Sequence, residues 1–136
     1  MTTIAEVRDN LADICSTLTG WYGTTYVGDQ INPGAIVVSR PAFDPRMVFS
    51  QVKAEHDFRL VAYAARGGSQ ASEAALDALC ELSGDGSLIA AVQLSTNWTV
   101  TVDYAEVVLC GEVALTMFGA DAAEYLACPF DVKVVF

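Results

Sequence analysis

The first twenty residues carry the hydrophobic spacing and the end signals of an amphipathic helix. The apolar positions that recur every three or four residues are Ile4, Val7, Leu11, Ile14 and Leu18. This spacing places them on one face of a helix. Thr3 and Glu6 fit a capping box at its start, and Gly20 suits the left-handed position after its end. The pattern predicts a helix over residues 4–18.

Strand patterns follow this helix. Residues 35–39 are β-branched and apolar on both faces, which is typical of a covered strand. Residues 57–65 form a longer strand whose second half is apolar on both faces, and residues 47–52 form a weaker candidate. We expect the two to pair as a long hairpin, with a polar bend at residues 53–55 between them.

The hydrophobic period changes to that of a helix after Gly67-Gly68-Ser69 and returns to that of strands near Trp98. Two consecutive helices are predicted, from Ser69 to about Leu82 and from Leu88 to about Leu94. Further strand patterns cover residues 98–104, 107–118 and 130–136.

This order of elements predicts an α+β fold. The expected architecture is a mostly antiparallel or mixed β-sheet, with the N-terminal helix and the central helix pair packed on one face. No repeat or linker divides the chain, so residues 1–136 are expected to form a single domain. The chain is 53% hydrophobic, which is enough for one core.

Composition and charge narrow the possible partners. Seven Lys and Arg against seventeen Asp and Glu leave a net charge of −10, which disfavours a general nucleic-acid binder or a binder of anionic membranes. Only 18% of the residues are charged, so we expect apolar surface that needs a partner chain. The N-terminus lacks the pattern of a signal peptide, and apolar runs of about five residues are too short to span a bilayer.

Residues with catalytic potential are few. His56 is the one histidine, and it stands between Glu55 and Asp57. A catalytic histidine with a cysteine partner is conceivable, but an ordinary histidine on a surface strand is the favoured interpretation. The cysteines stand far apart in sequence without a CxxC pair, at Cys15, Cys80, Cys110 and Cys128. They are expected to be buried, reduced and inert. We therefore predict no catalytic residue, no cofactor and no metal site.

A family resemblance appears at the central helices and extends along most of the chain. It rests on the segments Ala75–Leu79 and Gly84–Val92, the proline-bounded strand Ala35–Pro41, the strand Phe58–Ala65 and the ending Glu124–Val132. Together with the N-terminal helix, these segments resemble tail terminator proteins of long-tailed, non-contractile bacteriophages, most closely those of actinobacterial hosts. Where the family usually has Tyr-Leu-Gly, this chain has Tyr125-Leu126-Ala127.

The resemblance implies a structural virion protein, without a reaction or a cofactor. Members of this family form a hexameric ring on the head-proximal end of the tail tube, where they stop tube polymerisation and join the tail to the neck. The implied partners are further copies of the chain, the tail tube protein and the head–tail stopper. Phage DNA passes through the ring without specific binding. The implied location is the virion neck, after assembly in the host cytoplasm and without a membrane.

Two other functions stay open at this stage. A head–tail stopper or another neck connector protein has similar size and composition. From a different class, a small-molecule-binding or hydrolytic domain would use His56 with Cys80 or an acid. An oligomer that forms rings favours the terminator, whereas a monomer with an enclosed polar pocket favours the hydrolytic domain.

The candidate subunit or tube interface is Phe43, Met47 and Phe49. They lie in a stretch that is too apolar for a free loop and is interrupted by two prolines. We expect residues 41–56 to project and to bury these side chains against a neighbouring subunit or the tube. Closure over the chain's own core is the equally weighted alternative.

The candidate bore of the ring is negative. A net charge of −10 per chain corresponds to about −60 for six copies, and a negative bore repels the phosphates of passing DNA. The candidate lumen-facing acids are Asp44, Glu55, Asp57, Asp121 and Glu124. The alternative for each of them is an ordinary solvated charge on the outer surface.

Overall fold

A computed structural model describes residues 2–26, 33–41, 48–50, 53–65, 69–118 and 123–136. The helices are α1 (Ile4–Ser16), α2 (Ser69–Leu79) and α3 (Leu88–Gln93), and α3 is followed by a short 3₁₀ helix (Ser95–Asn97). The strands are β1 (Tyr22–Thr24), β2 (Ala35–Val38), β3 (Val48–Ser50), β4 (Lys53–Ala65), β5 (Tyr104–Cys110), β6 (Ala114–Phe118) and β7 (Ala123–Val135).

The strands form a mixed sheet in the order β1-β2-β4-β7-β5, with β3 paired to β4 and β6 paired to β7. Only the β1–β2 pair is parallel among the described strands. The central strands β4 and β7 pair without interruption from Glu55 opposite Val135 to Ala65 opposite Tyr125. The predicted α+β class and its antiparallel or mixed sheet are therefore confirmed.

The main core joins all three helices to alternate residues of the central strands. Phe58, Leu60 and Ala62 of β4 point to this core, as do Phe130 and Val132 of β7. From the helices, the same core receives residues that include Leu11, Ile14, Leu76 and Val92. A smaller cluster of Ala35, Val37 and Tyr125 forms from strand residues of the opposite parity. The two clusters follow from the alternation of side chains along a strand, and the larger one fixes α1, α2 and α3 against the sheet.

Helix α1 begins as the sequence predicts. The Thr3 hydroxyl accepts the Glu6 amide at 3.2 Å, and the Glu6 carboxylate accepts the Thr3 amide at 2.7 Å. This reciprocal pair satisfies two amides that the helix cannot pair internally. The helix ends at Ser16, two residues earlier than predicted, and Gly20 then takes a φ of +84°.

The short strand β1 was not predicted, and it lies directly against α1. A side chain at Gly23 would place its Cβ 2.1 Å from the carbonyl oxygen of Ala12. Only glycine allows so close an approach of two backbones. Gly23 therefore lets β1 pair with β2 while it packs on the helix.

Strands β3 and β4 pair as a hairpin, with Val48 opposite Ala54 and Ser50 opposite Lys53, but the polar bend predicted at residues 53–55 is wrong. Strand β4 already begins at Lys53 and continues to Ala65. The residues that suggested a bend lie in the strand, because Lys53 and Ala54 pair with β3 and Glu55 pairs with Val135 of β7.

Residues 98–103 were predicted as a strand, but they lie outside any described strand. Trp98, Val100 and Val102 still pack against the main core, as their alternation predicts. The Asn10 side chain, however, accepts the amides of Thr99 and Val100 at 2.8 and 3.1 Å. A helix side chain thus occupies donors that a neighbouring strand would otherwise use.

Strand β7 contains Pro129, whereas the strand predicted from the sequence begins only at residue 130. The Pro129 carbonyl accepts a hydrogen bond from the Gly111 amide at 2.8 Å, so the two residues face each other in the ladder. Proline has no amide hydrogen with which to return a bond to the Gly111 carbonyl. The Cys128 thiol donates to the Gly111 carbonyl instead, at 3.4 Å. The proline is tolerated at this point because the carbonyl opposite it has another donor.

Candidate assembly surface

Strands β5 and β6 form the outer edge of the sheet. Both run antiparallel to β7, β5 along its second half and β6 along its first. No described strand pairs with their other sides. The backbone amides and carbonyls on that side can therefore accept a further strand.

The two edge strands and the turn between them also carry exposed apolar side chains. They are Val108, Leu109, Val113, Leu115 and Met117, and we call them the β5–β6 edge. Leu109 is 54% exposed, Leu115 51% and Met117 64%. At Val108 the register shifts, so one extra residue bulges from β5. Leu109 stands opposite Asp131 and Leu115 opposite Leu126 of β7, so the exposed apolar side chains lie on both faces of the sheet along these open strand edges.

The β5–β6 edge lacks the protection that exposed edges usually have. Natural edge strands commonly carry lysine, proline or inward-pointing charges that prevent pairing with another chain. Here Glu112 is the one charged residue from Val107 to Phe118. An edge with so little charge is suited to contact with a partner chain.

These residues were not predicted as interface candidates. Residues 107–118 were predicted as strands, but the sequence does not indicate that these strands form the edge. The signal that could have found them is the shortage of charge in a run with strand propensity. Of the interface residues that were predicted, Phe43 and Met47 lie outside the described residues. Phe49 lies in β3, but its side chain is outside the description.

Two of the predicted lumen acids lie in a strip of mixed charge on the sheet. Glu55 pairs with Lys133 at 2.7 Å, and beside it Arg59 pairs with Asp131 at 3.1 Å. Asp57 stands opposite Lys133 in the ladder. The Glu55 carboxylate, through its hydrogen bond and its charge, raises the pKa of Lys133.

A shallow cleft of about 480 Å³ runs along this strip. Its charged lining residues are Arg40, Arg59, Lys133, Glu55, Asp57 and Asp131. Cations and carboxylates are thus equal in number, and the strip does not present a concentrated negative charge. Glu124 is exposed near the other end of β7, while Asp44 and Asp121 lie outside the described residues. That these acids line a bore stays a prediction.

The histidine lies in a different environment from the surface position that was favoured. His56 is 5% exposed, and its ring stacks on Phe136 with centroids 4.2 Å apart and planes 16° apart. The Phe58 ring lies 6.4 Å away. Because β4 continues through residue 56, this side chain points to the core side of the sheet, among aromatic rings. Such burial does not favour a hydrolytic role for His56.

A half-open groove of about 480 Å³ lies beside Trp98. The Trp98 indole donates to the Val92 carbonyl at 2.8 Å, so the ring is held against α3. The groove is lined by neutral side chains together with Asp103 and Glu106, and its lining contains no histidine, cysteine or lysine. It is a surface groove rather than the enclosed polar pocket expected of a hydrolytic domain.

The Cys15 thiol should be almost unreactive in the folded chain. Burial raises its pKa from 9.0 to about 12, and the thiolate is the form that reacts with disulfide reagents. The three-unit difference lowers the thiolate fraction at pH 7 roughly a thousandfold. We expect an aromatic disulfide reagent to label Cys15 at least that much more slowly in the native chain than in urea. Similar labelling rates in the two states would contradict the burial.

Comparisons with known proteins identify no family. No protein-family model matches the chain, and the curated proteins include no match to it. Within the described ranges, the His, Cys, Asp and Glu side chains form no group of three or more that could hold a metal ion. The longest described helix, α1, has 13 residues, and none of the described helices has the length and apolar character needed to cross a membrane.

Proposed function

We propose that the chain is a structural virion protein, a tail terminator that assembles as a ring on the head-proximal end of a phage tail tube. The observation that carries the proposal is the unprotected β5–β6 edge, where exposed apolar side chains accompany open strand edges. Together with the resemblance to tail terminators, this surface favours assembly over catalysis.

A closed ring requires two different surfaces on each subunit. A head-to-tail contact joins one patch to a distinct patch on the next copy, and a suitable rotation closes the ring. In the sheet order, β1 lies at the side opposite β5. Tyr22 and Tyr26 are exposed there, at 39% and 77%. We therefore assign the β5–β6 edge to one side of the subunit contact and the β1 side to the other.

The remaining partners follow from the same proposal. One rim of the ring contacts the tail tube protein, and the other contacts the head–tail stopper. DNA passes through without specific binding, since the chain has a net charge of −10 and two of its seven basic residues, Arg59 and Lys133, are paired with carboxylates. The protein works in the virion neck after assembly in the host cytoplasm.

The decisive experiment adds the purified chain to polymerising tail tube protein of the same phage. Electron microscopy then measures tube length, and native mass spectrometry counts the copies on each tube. We expect shorter tubes, each with six copies at one end. Tubes of unchanged length with no bound chain would refute the proposal. Binding to the isolated head connector instead of the tube would identify a head–tail stopper.

A further inference from the structure

The two edges of the sheet differ in what their outward backbone groups bond to. At the β1 edge, the Tyr22 amide donates to the Gly34 carbonyl on the β2 side at 2.9 Å. Because successive amides of a strand point to opposite sides, the Gly23 amide points away from β2. It donates to the Ser16 hydroxyl at 2.9 Å, and the Ala12 backbone of the same helix lies directly against Gly23. Helix α1 therefore closes this edge to a further strand.

At the opposite edge, strand β6 offers an unbroken ladder. It pairs with β7 at five consecutive positions, from Ala114 opposite Ala127 to Phe118 opposite Ala123. Strand β5 instead bulges at Val108, and a bulge hinders the pairing of an edge with another strand. No described strand pairs with the other side of β6. Strand β6 is therefore the segment of this edge that is best suited to accept a strand.

The charge of the chain restricts where two copies can approach each other. Each copy carries a net charge of −10, so two copies repel each other across much of their surface. Between Val107 and Phe118 the one charge is Glu112, four residues from Thr116 in the middle of β6. In an antiparallel pair centred on Thr116, the two Glu112 carboxylates would lie more than about 20 Å apart. Salt screens charges beyond about 8 Å, so two acidic copies can meet at this edge without mutual repulsion between its charges.

The sequence of β6 is complementary to itself in one antiparallel register. A two-fold axis through Thr116 places Leu115 opposite Met117 of the second copy, and Met117 opposite Leu115 of the second copy. Leu115 is 51% exposed and Met117 64%, and both lie on one face because they are two residues apart. Thr116 stands opposite its counterpart on the other face. Apolar pairs and threonine pairs directly across two strands both stabilise a sheet.

We infer that the free chain forms a two-fold dimer, in which the β6 strands of two copies pair antiparallel about Thr116 and join the two sheets. Because α1 closes the β1 edge of each copy, strand addition stops at two copies and does not continue into a fibre. The dimer covers the surface that the proposed ring contact uses, so a copy in the dimer cannot also join the ring. The pairing concerns the free chain and does not depend on the tail terminator function.

The first test uses two variants that place opposite charges on β6. In Leu115→Lys/Met117→Lys each lysine would face a lysine of the second copy, and in Leu115→Glu/Met117→Glu each glutamate would face a glutamate. Like charges directly opposite destabilise strand pairing, so each variant alone should be a monomer. In an equimolar mixture lysines face glutamates, and native mass spectrometry should detect a 1:1 dimer. A head-to-tail contact joins the edge to a different surface, so it would not restore association in the mixture.

The second test uses the wild-type chain, which decides the question even if a variant fails to fold. At about 100 µM, analytical ultracentrifugation should find mainly dimer. The amides of residues 114–118 should then exchange hydrogen more slowly than at about 1 µM, where the dimer dissociates. Higher salt should strengthen the association, because it screens the net charge of the two copies.

Several outcomes would overturn the inference. They are a wild-type chain that stays monomeric at this concentration, a mixture in which both variants stay monomeric, and a dimer without protection of residues 114–118. A hexamer formed without tubes would also overturn the two-fold pairing, and it would support the ring instead. A two-fold dimer together with tail tubes of unchanged length would support the pairing and reject the terminator function.

Discussion

Replacement of Asn10 by alanine should lower the free energy of unfolding by about 2–4 kcal/mol. Asn10 is 3% exposed, and its side-chain oxygen accepts the amides of Thr99 and Val100. Its amide group donates to the Asn97 carbonyl at 3.2 Å. Alanine offers none of these bonds, so two backbone donors and one acceptor lose their partner within the protein. Urea unfolding, with the midpoint and the slope both measured, gives the change.

The Asn10 contacts also explain why this effect should exceed that of other polar residues on α1. Asp13 is exposed on the same helix, so Asp13→Ala provides a matched control that should change the free energy of unfolding by at most about 0.5 kcal/mol. Asn10→Asp should be intermediate, because a carboxylate can accept the two amides but cannot donate to Asn97. Equal midpoints for Asn10→Ala and Asp13→Ala would show that the link between α1 and residues 98–100 is dispensable.

Local pattern was sufficient to predict the elements that have a clear period. Helix α1 and its capping box, the buried strand β2 and the hairpin of β3 and β4 all follow from spacing within one segment. Elements that depend on a distant partner were missed. Strand β1 has only three residues and forms because it pairs with β2 and because Gly23 fits against Ala12. Asn10 binds the amides of Thr99 and Val100, which a strand over residues 98–103 would use for pairing.

The candidate surface could not be predicted for a similar reason. Apolar residues along a strand predict burial when the strand is central and an exposed strip when it is an edge, and sequence alone does not fix the strand order. The order places β5 and β6 at the edge, which turns Leu115 and Met117 into surface residues. Topology, rather than residue type, decided the assembly surface.

The double variant Leu115→Lys/Met117→Lys should weaken assembly about a hundredfold and leave the fold of the single chain intact. Both side chains are at least half exposed, so their replacement should change the free energy of unfolding by at most about 1 kcal/mol. In the proposed ring, each contact instead buries these side chains against the next copy. Loss of roughly 3 kcal/mol of apolar burial per contact corresponds to about a hundredfold weaker association.

Lysine is the appropriate substitution because natural edge strands use it to prevent pairing with another chain. The matched control is Leu82→Lys, which places a lysine away from the β5–β6 edge. Leu82 is 81% exposed and lies in the segment after α2. The control should bind and shorten tail tubes like the wild-type chain, whereas the double variant should need about a hundredfold higher concentration. Circular dichroism melting of both variants verifies their folds. If the folded double variant binds tubes at the wild-type concentration, the β5–β6 edge is excluded as the subunit contact. If the wild-type chain itself does not bind tubes, the terminator function is rejected.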